Sequence, residues 1–142
     1  MDKPIAGYGW YIKRIDNALE KEANSNLQAL NLTMQQNRAL IMLAHAEAFT
    51  LSLKSLEERF GAAQSTVAGL VSRLEKKGLV EALSDPADKR VKLVRLTAEG
   101  ARLHSISHQK VVDSEEHLTS LLTEEEKQTL LDCLKKVYEA VK

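Results

Sequence analysis

From Ile5 the apolar positions Ile5, Tyr8, Ile12, Ile15, Leu19 and Ala23 step by three or four residues, the spacing that lays one stripe along a helix. The stripe predicts a first helix ending in the polar run from Asn24 to Asn26. Thr33 with Gln36 three residues on reads as a capping box. It opens a second helix through Leu40, Ile41 and Leu43 to about Ala46. "SLKSLEERFG" fits a short third helix with Ser52 as N-cap and Gly61 as stop. "AQSTVAGLVSRLEKKG" fits a fourth, buried through Val67, Leu70, Val71 and Leu74 and ended by Gly78, with Lys76 and Lys77 suiting its C-terminal dipole.

The period then changes. "LVEAL" and "VKLVRL" are short and rich in β-branched residues, and they flank the turn-forming stretch from Ser84 to Arg90, so a two-stranded hairpin is predicted. Thr97 caps a long helix over about 98–119. Thr123 with Glu126 caps a last one, striped by Leu130, Leu134, Val137 and Val141. Two short helices joined through a glycine and followed at once by a hairpin make a winged helix-turn-helix, with "DPADKR" (85–90) at the wing tip. The expected fold class is therefore mainly α. One winged helix-turn-helix domain spans 1–142, with a DNA-binding lobe over 33–96, a wing over about 79–96, and helices at 1–30 and 98–142 left for dimerisation.

Composition narrows this reading without redirecting it. With 44% hydrophobic and 28% charged residues in 142, the chain has the makeup of a soluble globular protein. No apolar run is long enough to span a bilayer, and "MDKPIAGYGW" has no apolar signal core, so a cytoplasmic protein is expected. The lone Cys133 has no metal-ligand spacing around it and reads as a buried small hydrophobe. Twenty basic and twenty acidic residues cancel, but unevenly. Residues 51–96 carry nine basic against six acidic, net +3, and residues 97–142 carry six against nine, net −3. The electropositive part coincides with the winged lobe.

"LTMQQNRALIML" (32–43), "SLEERFGAAQSTVAGLVSRLEKKGLV" (55–80) and "DPADKRVKLVRLTAEG" (85–100) resemble the MarR family of bacterial transcription regulators, and the predicted elements match over nearly the whole chain. The resemblance implies a homodimer with its first, fifth and sixth helices interlocked. It also implies a palindromic double-stranded DNA operator and, for many members, a repressor released by a small aromatic or phenolic ligand. Independently, the stripes of the first and last helices are more than a winged lobe alone would cover, and a twofold pair could bury both.

Opposite the buried face of the fourth helix stand Gln64, Ser65, Ala68, Gly69 and Ser72, with Arg73 and Lys76 beside them. Gln64, Ser65 and Ser72 are candidate base readers, the Ala68 methyl can meet thymine, and Thr66 with the helix N-terminus can hold phosphate. Arg90 resembles the family's wing arginine, which enters the minor groove. Asp85 and Asp88 are expected to orient it and the turn by ion pairing. Arg59, Lys89 and Lys92 are candidate phosphate contacts, each also readable as solvated surface. The chain departs from the family at Ala63, where a capping residue is usual, at Gly69, where many members have arginine, and at Ala82 and Ala87. With zero net charge, Ala63 and Gly69 favour the alternative reading, a winged-helix interaction module with weak or lost DNA binding.

For an effector, the resemblance implies a pocket between dimerisation helices and lobe, with Trp10, Tyr11, Arg14, Met42, His45 and His104 as wall candidates. The bland reading makes Trp10 and Tyr11 part of the dimer interface. His104 and His108 share a helix face that His45 could approach, the beginning of a metal site, but no cysteine or carboxylate pair joins them. They also do not fall where the family's zinc sensors keep their ligands, so no metal or other cofactor is expected. Cys133 lies far from the N-terminal position of the family's peroxide-reactive cysteine. No nucleophile–base pair, phosphate loop or metal motif suggests an enzyme.

Overall fold

The structure is a computed structural model that describes residues 6–142; Ile5, the first position of the expected stripe, lies outside them, as does half of the stretch read as lacking a signal core. In chain order the elements are α1 (Tyr8–Ala29), α2 (Met34–Ala44), a 3-10 turn (Glu47–Phe49), β1 (Thr50–Ser52), α3 (Leu53–Phe60), α4 (Gln64–Lys76), β2 (Val80–Ser84), β3 (Lys92–Leu96), α5 (Ala98–Leu118) and α6 (Glu124–Val141). They fall into two compact units, Met1–His108 and Gln109–Lys142.

The core of the first unit is aliphatic. Leu40 and Leu43 of α2, Leu56 of α3, Val67 and Leu74 of α4, and Val80 and Val94 of the sheet are almost wholly excluded from solvent. Burying one such side chain contributes on the order of 2 kcal/mol, which is why these positions dictate the faces of their helices. Leu27 belongs to the same core and carries α1 past the expected stop to Ala29. The polar run does not end the helix because Leu27 is anchored beneath it. The reversal comes later, at Asn31, whose φ of 54° lets the Leu32 N–H return to the Leu27 carbonyl at 2.9 Å.

The short helices are set by their ends. Thr33 and Gln36 form the reciprocal capping box on α2, and Ser52 Oγ accepts from the Ser55 amide at 3.0 Å to start α3. Gly61, at φ 61°, ends α3 and begins the turn into α4. At the far end of α4, the Gly78 N–H reaches the Glu75 carbonyl and the Leu79 N–H that of Leu74, a Schellman closure with Leu74 and Leu79 both buried.

The expected two-stranded hairpin is present as β2 and β3, and β1 adds a third strand that the sequence pattern did not show, giving an antiparallel sheet of order β1-β3-β2. Val80 lies opposite Leu96 and Ala82 opposite Val94, while Thr50 to Ser52 pair with Arg95 to Leu93 along the other edge of β3. Three residues carry no periodic signal. What delivers them to the sheet is the backbone before them, where Ala48 and Phe49 both adopt positive φ, 52° and 56°.

At the start of α5, Thr97 Oγ1 donates to the Gly78 carbonyl at 2.7 Å and accepts from the Gly100 amide at 3.1 Å. Gly100 sits so close to β2 that a Cβ there would stand 2.1 Å from the Leu79 carbonyl oxygen. Further along, Ser107 Oγ donates to Asn37 Oδ1 of α2 at 3.2 Å. In the second unit, the Thr123–Glu126 capping box opens α6, which buries none of its residues. Leu130, Leu131, Leu134, Val137, Tyr138 and Val141 are between 39% and 77% exposed there. Cys133 is exposed too, not buried as its type suggested, because the helix that carries it has no covered face.

Candidate nucleic-acid interface

One face of α4 is consumed by the core through Val67, Leu70, Val71 and Leu74. The other leaves Gln64, Ser65, Thr66, Ala68, Ser72, Arg73 and Lys76 exposed and Gly69 half-buried. Arg73 explains Gly69's partial cover: its guanidinium folds back one turn, and a Cβ on Gly69 would meet it at 3.7 Å. At the helix N-terminus, Ala63 offers no side-chain cap; the Thr66 and Val67 amides turn back to its carbonyl at 3.0 and 3.2 Å. The first-turn amides of Gln64 and Ser65 therefore have no side-chain acceptor from the N-cap, and the positive end of the helix dipole is left to an outside acceptor such as phosphate.

The wing tip is tied from within. The Asp85 N–H donates to the Val91 carbonyl at 3.0 Å and the Val91 N–H to the Asp88 carbonyl at 2.9 Å. Asp85 Oδ1 accepts from the Ala87 amide at 2.8 Å, so Asp85 holds the turn through the backbone and not by the ion pairing expected of it. Asp88 grips Arg90 three ways: Oδ1 accepts from the Arg90 amide and from Nε, both at 3.1 Å, and Oδ2 accepts from Nη2 at 3.2 Å. The hydrogen bonds from Arg90 hold the Asp88 carboxyl below its usual pKa. Even so held, the Arg90 side chain is 91% exposed. Lys89 and Lys92 are exposed on the same loop and strand.

Two interactions that sequence patterns did not single out fix the geometry behind these residues. Lys77 Nζ donates to the buried Gln36 Oε1 at 2.8 Å and to the Asn31 carbonyl at 2.5 Å, lashing the end of α4 to the start of α2. Arg38 of α2 donates from Nη2 to the Arg59 carbonyl at 3.1 Å, with its guanidinium 4.7 Å from the Phe60 ring centroid. It thereby closes the C-terminal end of α3 just before the turn to α4. Neither Lys77 nor Arg38 announces this by spacing, because each reaches a partner more than twenty residues away. Arg59, a candidate phosphate contact, spends Nε on Ser55 Oγ at 3.3 Å.

The effector-wall candidates fall into two groups. Trp10 and Tyr11 meet edge-on at 4.9 Å, with the Arg14 guanidinium 4.8 Å from the Trp10 centroid, on an exposed part of α1. His45 and His104 meet across α2 and α5, and Met42 packs against the core. Separately, α2, α3 and α4 bound a cleft of about 480 Å³ lined by Thr33, Arg38, Phe60, Val67, Leu70 and Arg73, among others. Among the described residues no cluster of three His, Cys, Asp or Glu could hold a metal ion, and no helix is long and apolar enough to cross a membrane.

Comparison with known proteins agrees with this geometry. A profile described as "MarR family" matches residues 32–92. Multiple antibiotic resistance protein MarR of Escherichia coli (strain K12) is 36% identical over 136 residues, 94% of this chain and 92% of that protein. Wild-type apo MarR from E. coli superposes with a TM-score of 0.71 at 32% identity, covering 95% of this chain and 98% of that one. The fold is also that of the S. aureus MepR–DNA complex, TM-score 0.85 at 24% identity over 95% of this chain and all of that one. These relatives and this fold belong to transcription regulators and not to enzymes. On the strength of the match to MarR over 94% of its length, the chain belongs to the MarR family of transcription regulators.

Proposed function

We propose that this DNA-binding regulator acts in the cytoplasm as a homodimeric repressor, on a palindromic operator, that releases DNA when a small aromatic or phenolic ligand binds. One observation carries the DNA-binding part. A helix whose outward face is polar and basic shares a unit with a wing whose tip presents Arg90 to solvent. Gln64, Ser65 and Ser72 would read base edges, with Ala68 against a thymine methyl. Thr66, Arg73, Lys76 and Lys89 would hold phosphate beside Gly69, while Arg90 enters the minor groove.

Pairing is supported by the apolar side chains that α1 and α6 leave in solvent, Tyr8, Ile12 and Ile15 on the first and Leu134, Val137 and Val141 on the second. A second copy of the chain supplies a matching surface, and two reading helices then address half-sites about one DNA turn apart. For the effector, Trp10, Tyr11 and Arg14 offer a ring-stacking surface with a cation, with Met42, His45 and His104 as further wall. The cleft by Arg38 and Arg73 is a second place for an aromatic anion, favoured by its two guanidinium groups and its apolar floor.

The test is an anisotropy titration against the promoter beside the protein's own gene at two salt concentrations, with sedimentation of the free protein. Specific, salt-weakened binding by a dimer is the expected result. No specific binding would favour the interaction module that Ala63, Gly69 and the zero net charge suggest, and a monomer would remove the twofold operator.

A further inference from the structure

His104 sits between two other imidazoles in the first unit. His45, which closes the C-terminus of α2, meets it edge-on with centroids 5.9 Å apart and planes at 86°. His108, one turn further along α5, stacks beside it at 6.1 Å and 21°. Together with the Ser107–Asn37 hydrogen bond, the His45–His104 pair forms the polar part of the seam between α5 and α2, with His108 beside it on α5. The apolar part is Leu103 against the core.

We propose that the histidine cluster is a proton-operated latch: neutral rings keep α5 seated on α2, and protonated rings repel one another, loosen that seam and weaken DNA binding. The effect on DNA rests on the regulator reading above; the latch itself does not. Positive charges gathered at these separations repel one another. Glu99, earlier on α5, is held by Arg102 through two hydrogen bonds of 2.9 and 2.6 Å. The charged groups facing His104 are His45 from α2 and His108 from its own helix, and both oppose its protonation. The seam matters to the DNA-reading element because α2 packs directly on α4 through the shared core.

Burial, first, and then the charges of His45 and His108 hold the His104 imidazole below its ordinary pKa. The sign follows. The folded state favours the neutral ring, so its contribution to stability is complete above the unfolded value of about 6.5 and falls as pH drops through that value toward the lowered folded one.

The three histidines are followed by NMR titration of DNA-free protein in chelator-containing buffer from about pH 8 to pH 5, with melting temperature and operator affinity measured over the same range. The His104 midpoint should lie below the free-histidine value, melting temperature should fall toward acid, and affinity should weaken by about threefold or more. His104→Gln should flatten the pH dependence of both. Should that variant not fold, His45→Gln, at the exposed helix end, should raise the His104 midpoint. A His104 midpoint at or above the free-histidine value, or a His104→Gln protein that keeps the wild-type pH dependence of melting, overturns the latch. So does a pH response that appears only without chelator, which would make a trace metal the ligand. Loss of DNA binding at every pH, with titration and melting as expected, is a failure of the regulator reading and leaves the latch supported.

Discussion

Asp88 holds Arg90 by its amide and by both ends of its guanidinium fork, yet leaves that side chain 91% exposed at the wing tip. An ion pair so open to water contributes little to stability; under the proposed function it stiffens a long side chain that would otherwise lose rotamer freedom on binding DNA. Arg90→Ala should therefore weaken operator binding by about tenfold or more with melting unchanged. Asp88→Ala, which keeps the charge of Arg90 but frees it, should weaken binding less. Because Arg90 holds the Asp88 carboxyl below its usual pKa, the pair persists above the ordinary carboxylate range and is lost only as pH falls through the lowered value. Operator affinity of Asp88→Ala and wild type, measured in parallel by anisotropy, should then differ by a constant factor between about pH 8 and pH 5. Equal affinity of wild type and Arg90→Ala would take the wing out of the interface.

Behind α4, Lys77 Nζ bridges a buried amide oxygen and the carbonyl of the positive-φ Asn31. Lys77→Met keeps the stem but leaves Gln36 Oε1 with the Thr33 amide as its other partner. A charge-assisted hydrogen bond of this kind contributes about 1 to 2 kcal/mol, which in a chain of this size lowers the melting temperature by roughly 2 to 8 °C. Lys76→Met, next door on the exposed face, should shift melting by about 1 °C or less. Equal effects of the two substitutions, read by calorimetry, would mean that the bridge contributes nothing beyond surface charge.

The contrast between Lys77 and its neighbour shows where sequence reading reaches and where it stops. Helix faces were legible because burial repeats with the helical period: Val67, Leu70, Val71 and Leu74 follow from spacing alone. Caps were legible because Thr33–Gln36 and Thr123–Glu126 are local chemistry. β1 was not, since three residues have no period and their pairing with β3 depends on a backbone reversal at Ala48 and Phe49 that no glycine announced. The exposed faces of α4 and the wing could be drawn from the same periodicities. The Lys77 and Arg38 ties, and the backbone role of Asp85, are contacts in space or in turn geometry, and residue type alone left them open.

Gly100 was likewise silent in the sequence, standing inside a helical pattern as an ordinary weak point. In the fold, a methyl group there would press on the Leu79 carbonyl at 2.1 Å and on Leu96 Cδ1 at 2.7 Å. Alanine would normally gain about 1 kcal/mol of helix propensity over glycine. Here the forced separation of α5 from β2 also disturbs the Thr97 amide bond to the Leu79 carbonyl, and overpacking costs about 1 to 3 kcal/mol, so the net should be destabilising. Urea unfolding of Gly100→Ala should show a lower midpoint; a midpoint at or above wild type would mean that α5 does not seat as closely as it stands here.

Gly69 gives the opposite case and a direct probe of the outward face of α4. A Cβ there meets only the Arg73 guanidinium, at an ordinary 3.7 Å, so nothing in the fold demands glycine. Gly69→Ala should thus raise stability by about 1 kcal/mol, visible as a higher melting temperature. Gly69→Arg tests the interface itself, because a second cation beside Arg73 on the outward face would gain a phosphate contact if that face lies against the duplex. Operator affinity should rise, and the slope of log affinity against log salt should steepen by about 0.9 for one added contact. A more stable Gly69→Ala protein beside a Gly69→Arg protein with wild-type affinity and slope would leave the fold as described and turn this face of α4 away from DNA.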